Sequence, residues 1–173
     1  MDDTDDELAS LSEFIFLQEN ARQAGVSGPL PAAARIEHGP VSAVKFGDDA
    51  PRVVFLHGGG QNAHTWDTVI VGLGVPALAI DLPGHGRTGL LEPRDHRFEA
   101  TLAALVRILD QRDIEETDVL GYSMGGRLAL GLAVRHPDRV RSTVLVGSTA
   151  GYPTDAERAA RRRSDAALAD DLI

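Results

Sequence analysis

Short apolar runs alternate along this chain with longer stretches whose apolar residues recur every three or four positions. Arg52-Val53-Val54-Phe55-Leu56, Ala77-Leu78-Ala79-Ile80, Thr117-Asp118-Val119-Leu120 and Ser142-Thr143-Val144-Leu145-Val146 have strand length. The apolar runs Val53–Leu56, Ala77–Ile80 and Val144–Val146 show no polar alternation, as expected of parallel strands covered on both faces. Between them, Phe98 to Leu109 carries Leu102, Leu105, Val106 and Leu109 on one helical face. Met124 to Arg135 is apolar nearly all round and is expected to be a buried helix ended by Pro137. His64 to Leu73 suits a short helix, and Asp155 to Ala169 an alanine-rich one. Upstream, Leu8, Leu11, Phe14, Ile15, Leu17 and Ala21 predict a helix from Leu8 to Ala24, stopped by Gly25. Arg35 to His38 and Val41 to Phe46 flank Gly39-Pro40 and predict a β-hairpin. Strands alternating with helices place the chain in the α/β class, with a doubly wound, mostly parallel sheet and the hairpin as its antiparallel edge. The expected division is an acidic tail, helix and linker over 1–34, a core over 35–152, and the start of a further helical region over 153–173.

Composition narrows the picture. The 173 residues suffice for one domain with a real core. The net charge of −9 argues against a nucleic-acid partner, which would want a basic face. There is no cysteine, hence no disulfide, thiolate nucleophile or cysteine metal site. The acidic start Met1-Asp2-Asp3-Thr4-Asp5-Asp6-Glu7 lacks the basic and apolar parts of a secretory signal, and no apolar run approaches the roughly 20 residues of a membrane helix. The expectation is a cytoplasmic protein with a small-molecule substrate, no membrane partner and no metal.

The candidate chemistry centres on Gly121-Tyr122-Ser123-Met124-Gly125-Gly126, which joins a strand to a helix. A serine at such a turn needs small neighbours, and the glycines on either side supply the room. The turn lifts the Ser123 hydroxyl clear of the sheet beside a helix N-terminus, where negative charge is favoured. Gly58-Gly59-Gly60 follows a buried strand and can aim backbone N–H groups at the same place. Gly59 and Met124 are the expected oxyanion-hole donors, each worth about 3–4 kcal/mol of barrier. Asp81-Leu82-Pro83-Gly84-His85-Gly86-Arg87 reads as a structural turn in which Asp81 bonds local N–H groups. Trp66 is expected to pack above the glycine loop. His64 and His96 are expected to be solvated, and His136 to end a helix. Arg127, four residues after Ser123, is either a surface arginine or a fork for a substrate carboxylate. Arg161, Arg162 and Arg163 read as a solvated face.

In their order, the hairpin, the His57-Gly58-Gly59-Gly60 loop, Asp81-Leu82-Pro83-Gly84-His85-Gly86 and the serine turn resemble the α/β-hydrolase superfamily. The resemblance runs from about Arg35 to the last residue. It implies a cofactor-free hydrolase with Ser123 as nucleophile, acting on a small ester or carbonyl substrate. A serine in the turn, where others carry aspartate, argues against an epoxide hydrolase or haloalkane dehalogenase. Gly121 to Leu130 with Ala156 to Asp165 resembles the SHCHC synthase of menaquinone biosynthesis, a lyase that eliminates pyruvate. That likeness implies Arg127 and Arg161 as substrate ligands. Phe14 to Ala21 and His57 to Asp67 resemble actinobacterial hydrolases labelled non-haem peroxidases. In the superfamily an acid and then a histidine follow the serine. Only 50 residues follow Ser123, and they hold His136 alone, on the turn's own helix and pointing away. The chain is therefore expected to match the N-terminal two-thirds of such an enzyme, as a truncated inactive fragment or half of a split enzyme. In that case Val144, Leu145 and Val146 form an unguarded apolar edge, and self-association through it is expected.

Overall fold

The computed structural model describes residues 12–39, 41–89 and 97–170. Strands β1 (Ala33–His38) and β2 (Val41–Phe46) form the hairpin, in register from Ala33 opposite Phe46 to His38 opposite Val41. Then come β3 (Val53–Leu56), a 3₁₀ turn (Ala63–Trp66) running into α2 (Asp67–Leu73), and β4 (Ala77–Ile80). Helix α3 (Phe98–Gln111), β5 (Thr117–Tyr122), α4 (Met124–Arg135), β6 (Val140–Val146) and α5 (Asp155–Asp170) complete the order. Among the described residues, one short helix, α1 (Leu17–Gln23), precedes the hairpin. The six strands form one sheet in the order β1-β2-β4-β3-β5-β6, with β1, β2 and β4 antiparallel neighbours and the rest parallel. The four strands expected to be parallel neighbours are so.

Alternation along the strands separates two apolar layers. On one face Val54, Leu56, Leu78 and Ile80 meet Leu102, Leu105, Ile108 and Leu109 of α3 and Leu128, Ala129 and Leu132 of α4. On the other, Val44, Phe46, Phe55, Ala77 and Ala79 meet Trp66, Ile70 and Val71, with Leu17 and Ala21 of α1 outermost. Trp66 packs on Phe55 with ring centroids 5.3 Å apart, as its packing role requires. A helix layer on each face is what a doubly wound sheet needs to keep both apolar faces from water.

Three expectations change. Within the described residues the predicted N-terminal helix is not continuous: Ser12 takes the Phe14 N–H on its hydroxyl, and Ile15 and Leu17 bond three residues back, so tight turns precede α1. Leu8 and Leu11 lie outside the described residues. Helix α4 is not buried all round: Met124 to Ala133 are buried or half-buried, but Val134 stands 71% exposed. Strand β6 pairs only with β5 among the described strands and is the apolar edge expected of it, but its unbroken apolar run does not mean cover on both faces, since Val144, Leu145 and Val146 are exposed. No helix among the described residues is long and apolar enough to cross a membrane.

Parallel pairing fixes where the chemistry gathers. Leu56 stands opposite Gly121 and Ile80 opposite Leu56. The loops beginning at His57, Asp81 and Ser123 therefore leave neighbouring strands at one edge of the sheet.

Candidate active site

Ser123 turns the chain from β5 into α4 at φ 50° and ψ −109°. A non-glycine residue in this region is strained by about 1–3 kcal/mol and persists only where its surroundings over-determine it. Those surroundings are specific. The Ser123 N–H donates to the Val146 carbonyl at 2.9 Å, and the Ser148 hydroxyl donates to the Ser123 carbonyl at 2.8 Å. Nothing local in the sequence marks this brace, because Ser148 lies 25 residues from Ser123. The glycines answer close approaches: a Cβ on Gly121 would run into the Gly125 carbonyl, one on Gly125 into the Leu56 and His57 carbonyls, and one on Gly126 into Ser148. The Tyr122 ring packs between the two flanking loops, where a Cβ would lie 2.8 Å from it at Gly58 and 3.0 Å at Gly147.

The glycine loop is held from below by a buried histidine. The His57 Nε2 accepts the Leu82 N–H at 3.0 Å, so its Nδ1 carries the proton and donates to the Gly58 carbonyl at 2.7 Å. Burial holds His57 below the usual histidine range, which keeps this neutral tautomer. The Gly58 N–H is taken by the Gln61 side chain at 2.9 Å. Gly59 is exposed and its N–H finds no acceptor among the described residues. Met124 opens α4, so its N–H is one of the helix's unpaired terminal donors. Thus the two N–H groups singled out in the sequence are both without acceptors among the described residues, as are those of Gly60, Gly125 and Gly126 beside them.

Asp81 behaves as the turn reading expects, and goes further. Its buried carboxylate takes the Ala63 N–H at 2.7 Å, the Arg87 N–H at 3.0 Å and Arg35 Nη1 at 2.6 Å. Arg35 lies 46 residues away, so periodicity could not reveal this pair. His64 is not solvated: its Nδ1 lies 2.9 Å from Asp67 and its Nε2 3.3 Å from Glu13. His136 caps the end of α4, as expected. None of the described histidine side chains hydrogen-bonds Ser123: His57, His64 and His85 have the partners given, His85 through Nδ1 to the Pro83 carbonyl at 3.0 Å. The side chains of His38 and His96 lie outside the described residues.

Beside the serine turn a cavity of about 380 Å³ is lined by Leu82, Pro83, His85, Phe98, Met124 and Arg127. A second of about 350 Å³ shares Phe98 and Arg127 and reaches Thr149 to Gly151. The Arg127 guanidinium lies 5.3 Å from the centre of the Tyr152 ring and makes no ion pair among the described residues. Arg161 reaches the same tyrosine from α5, its Nη1 3.4 Å from the phenol oxygen, while its Nε bonds Asp165 at 2.6 Å. Arg162 and Arg163 are exposed. Among the described residues no group of three or more His, Asp or Glu could hold a metal ion. A further cavity of about 430 Å³, lined by Asp110, Glu115 and Arg139, lies at the opposite end of the strands, away from Ser123.

Known proteins are similar to this chain in sequence and fold. The family described as alpha/beta hydrolase fold matches residues 51–170. The esterase Rv0045c of Mycobacterium tuberculosis is 49% identical over 166 residues, covering 95% of this chain and 56% of that protein. A refined crystal structure of the same esterase superposes with a TM-score of 0.80 at 46% identity, over 95% of this chain and 56% of that one. A pimeloyl-[acyl-carrier protein] methyl ester esterase of Neisseria meningitidis is 40% identical over 110 residues, 62% of this chain and 33% of its own. A putative 2-succinyl-6-hydroxy-2,4-cyclohexadiene-1-carboxylate synthase of Bacillus subtilis is 36% identical over 123 residues, 70% of this chain and 45% of its own. The chain spans about half the length of the curated relatives it matches. The sheet order, the strained serine turn and these matches agree: the chain belongs to the α/β-hydrolase fold family.

Proposed function

We propose that this chain carries the nucleophile half of a cofactor-free serine esterase acting on a small ester. Ser123 is the nucleophile. The N–H groups of Gly59 and Met124 receive the oxyanion, and Arg127 with Arg161 contacts the substrate beyond the scissile bond. The observation that carries the reading is Ser123 at φ 50°, at a helix start beside a glycine loop whose Gly59 N–H has no acceptor among the described residues. The esterase names of the relatives support an ester substrate. Ser123 needs a histidine to take its proton, and an oxyanion hole without one leaves only residual catalysis.

The test is hydrolysis of p-nitrophenyl acetate by the chain alone and by the chain mixed with the C-terminal half of its tuberculosis relative. Slow turnover alone, faster turnover in the mixture, and loss of both in Ser123→Ala are the expected results. Turnover indifferent to Ser123→Ala refutes the assignment.

A second reading rests on Arg127. A guanidinium without an ion-pair partner among the described residues, in a mostly apolar cavity that also holds His85 and Thr101, suits a substrate carboxylate. This favours a lyase of the SHCHC-synthase type, in which serine and histidine remove a proton and no acyl-enzyme forms. A pre-steady-state burst with an activated ester in the mixture would exclude it.

A further inference from the structure

The glycine loop is tied to a segment far from it in sequence. Glu13, in the turns before α1, accepts Arg35 through Nη2 at 2.7 Å and Nε at 3.1 Å. Arg35 Nη1 passes the connection to Asp81 at 2.6 Å, and the other Asp81 oxygen holds the Ala63 N–H, where the glycine loop ends. On the adjoining residue, the His64 ring stands between Asp67 of α2 and Glu13, and the His64 backbone N–H donates to the Asn62 side-chain oxygen. Arg35 and Glu13 are only 12% and 17% exposed, and the Asp81 side chain is fully buried, so solvent screens these ion pairs weakly. Arg87 adds a looser contact to Glu13 at 3.4 Å.

We propose that the Ser12–Gln23 segment is a clasp that positions the glycine loop, with Glu13 as the positioning residue and His64 as its pH-sensitive pin. This rests on the reading of Gly59 as an oxyanion donor, but its structural content stands without it. The geometry offers two arrangements. With His64 protonated, Nδ1–H donates to Asp67 and Nε2–H to Glu13. With His64 neutral, Nδ1–H still donates to Asp67, while the bare Nε2 faces Arg35 Nη2 at 3.2 Å and loses its bond to Glu13. The groups facing the ring are therefore Asp67 from α2, Glu13 from the N-terminal turns and Arg35 from β1, with Asp81 and Arg87 one step behind.

Asp67 first, and Glu13 after it, raise the His64 pKa above 6.5 against its burial and the Arg35 charge. Arg35, and then His64, hold Glu13 below 4.5. A raised histidine contributes fully below its unfolded value and is lost as pH rises through its folded one. A depressed carboxylate contributes above its unfolded value and is lost as pH falls through its folded one. The clasp is tightest between the two.

The test is amide hydrogen exchange with His64 titration by NMR, on the full chain. In the wild type, protection of the Ala63 amide should fall as pH rises through the His64 titration. Glu13→Gln should lower the His64 pKa, reduce Ala63 protection on the order of tenfold, leave the Val119 amide of β5 unchanged, and abolish the pH step. His64→Gln should remove the pH step with Glu13 intact, and Glu13→Asp should restore part of the protection. Equal loss of protection at Ala63 and Val119 in Glu13→Gln would make Glu13 merely structural. Unchanged Ala63 protection with a shifted His64 pKa would refute positioning of the loop. Neither readout depends on turnover, so failure of Ser123 as nucleophile would leave the clasp untouched.

Discussion

Replacing His57 by phenylalanine isolates what the buried imidazole does for the glycine loop. Phenylalanine fills a similar space, so little cavity opens, but both ring nitrogens are lost. The Leu82 N–H, on a residue 1% exposed, then has no acceptor. Leaving a buried donor unpaired costs about 1–3 kcal/mol, and the lost bond to the Gly58 carbonyl adds about 1 kcal/mol. The Gly58 carbonyl itself keeps the Gln61 N–H at 3.3 Å, so it adds no second orphan. The expected total is about 2–4 kcal/mol. Trp66 is the chain's one tryptophan and packs on Phe55, which makes its fluorescence a probe of urea unfolding. With a slope of about 2 kcal/mol per molar urea, the midpoint should fall by roughly 1–2 M. The pH dependence gives a second check. The folded-state pKa of His57 lies below 6.5, so the unfolded chain takes the proton first, and wild-type stability should fall as pH drops below 6.5. That part of the acid slope should vanish in His57→Phe. A midpoint within about 0.5 kcal/mol of wild type, the range of an ordinary surface substitution, would refute the reasoning.

Two further outcomes follow from the turn and from the sheet edge. Ser123→Gly should relieve the strain of φ 50° and raise stability by about 1 kcal/mol while abolishing serine-dependent turnover, whereas Ser123→Ala should give no such gain; equal melting temperatures for the two variants would show that the turn stores no strain. We propose that exposed Val144, Leu145 and Val146 make β6 a pairing edge for a second copy, so Val144→Lys should shift the chain toward monomer in sedimentation; a wild-type chain already monomeric at high concentration would sink the proposal.

Much of this protein is written locally. The Val53–Leu56 and Ala77–Ile80 runs announce buried parallel strands because backbone pairing and the apolar layers on both faces demand such residues. The serine turn is legible because only glycine fits where the Gly125 carbonyl and the Leu56 and His57 carbonyls press close. Local signals also misled where they were incomplete. The Leu8 to Ala24 periodicity did not show that the Ser12 hydroxyl would capture the Phe14 N–H and open the helix into turns. The apolar face of Val134 did not show that nothing among the described residues covers it. What tertiary structure alone decided is the pairing of charges. His64 reads singly as a solvated residue and Asp81 as a local cap, and nothing marks Glu13 or Arg35, because a charged side chain has the same sequence signature in water or in an ion pair. Only the hairpin, which sets β1 one strand beyond β4 with β2 between them, puts Arg35 between Glu13 and Asp81. Burial makes that arrangement costly unless every charge finds its partner, and so the fold fixes a network the sequence could not spell out.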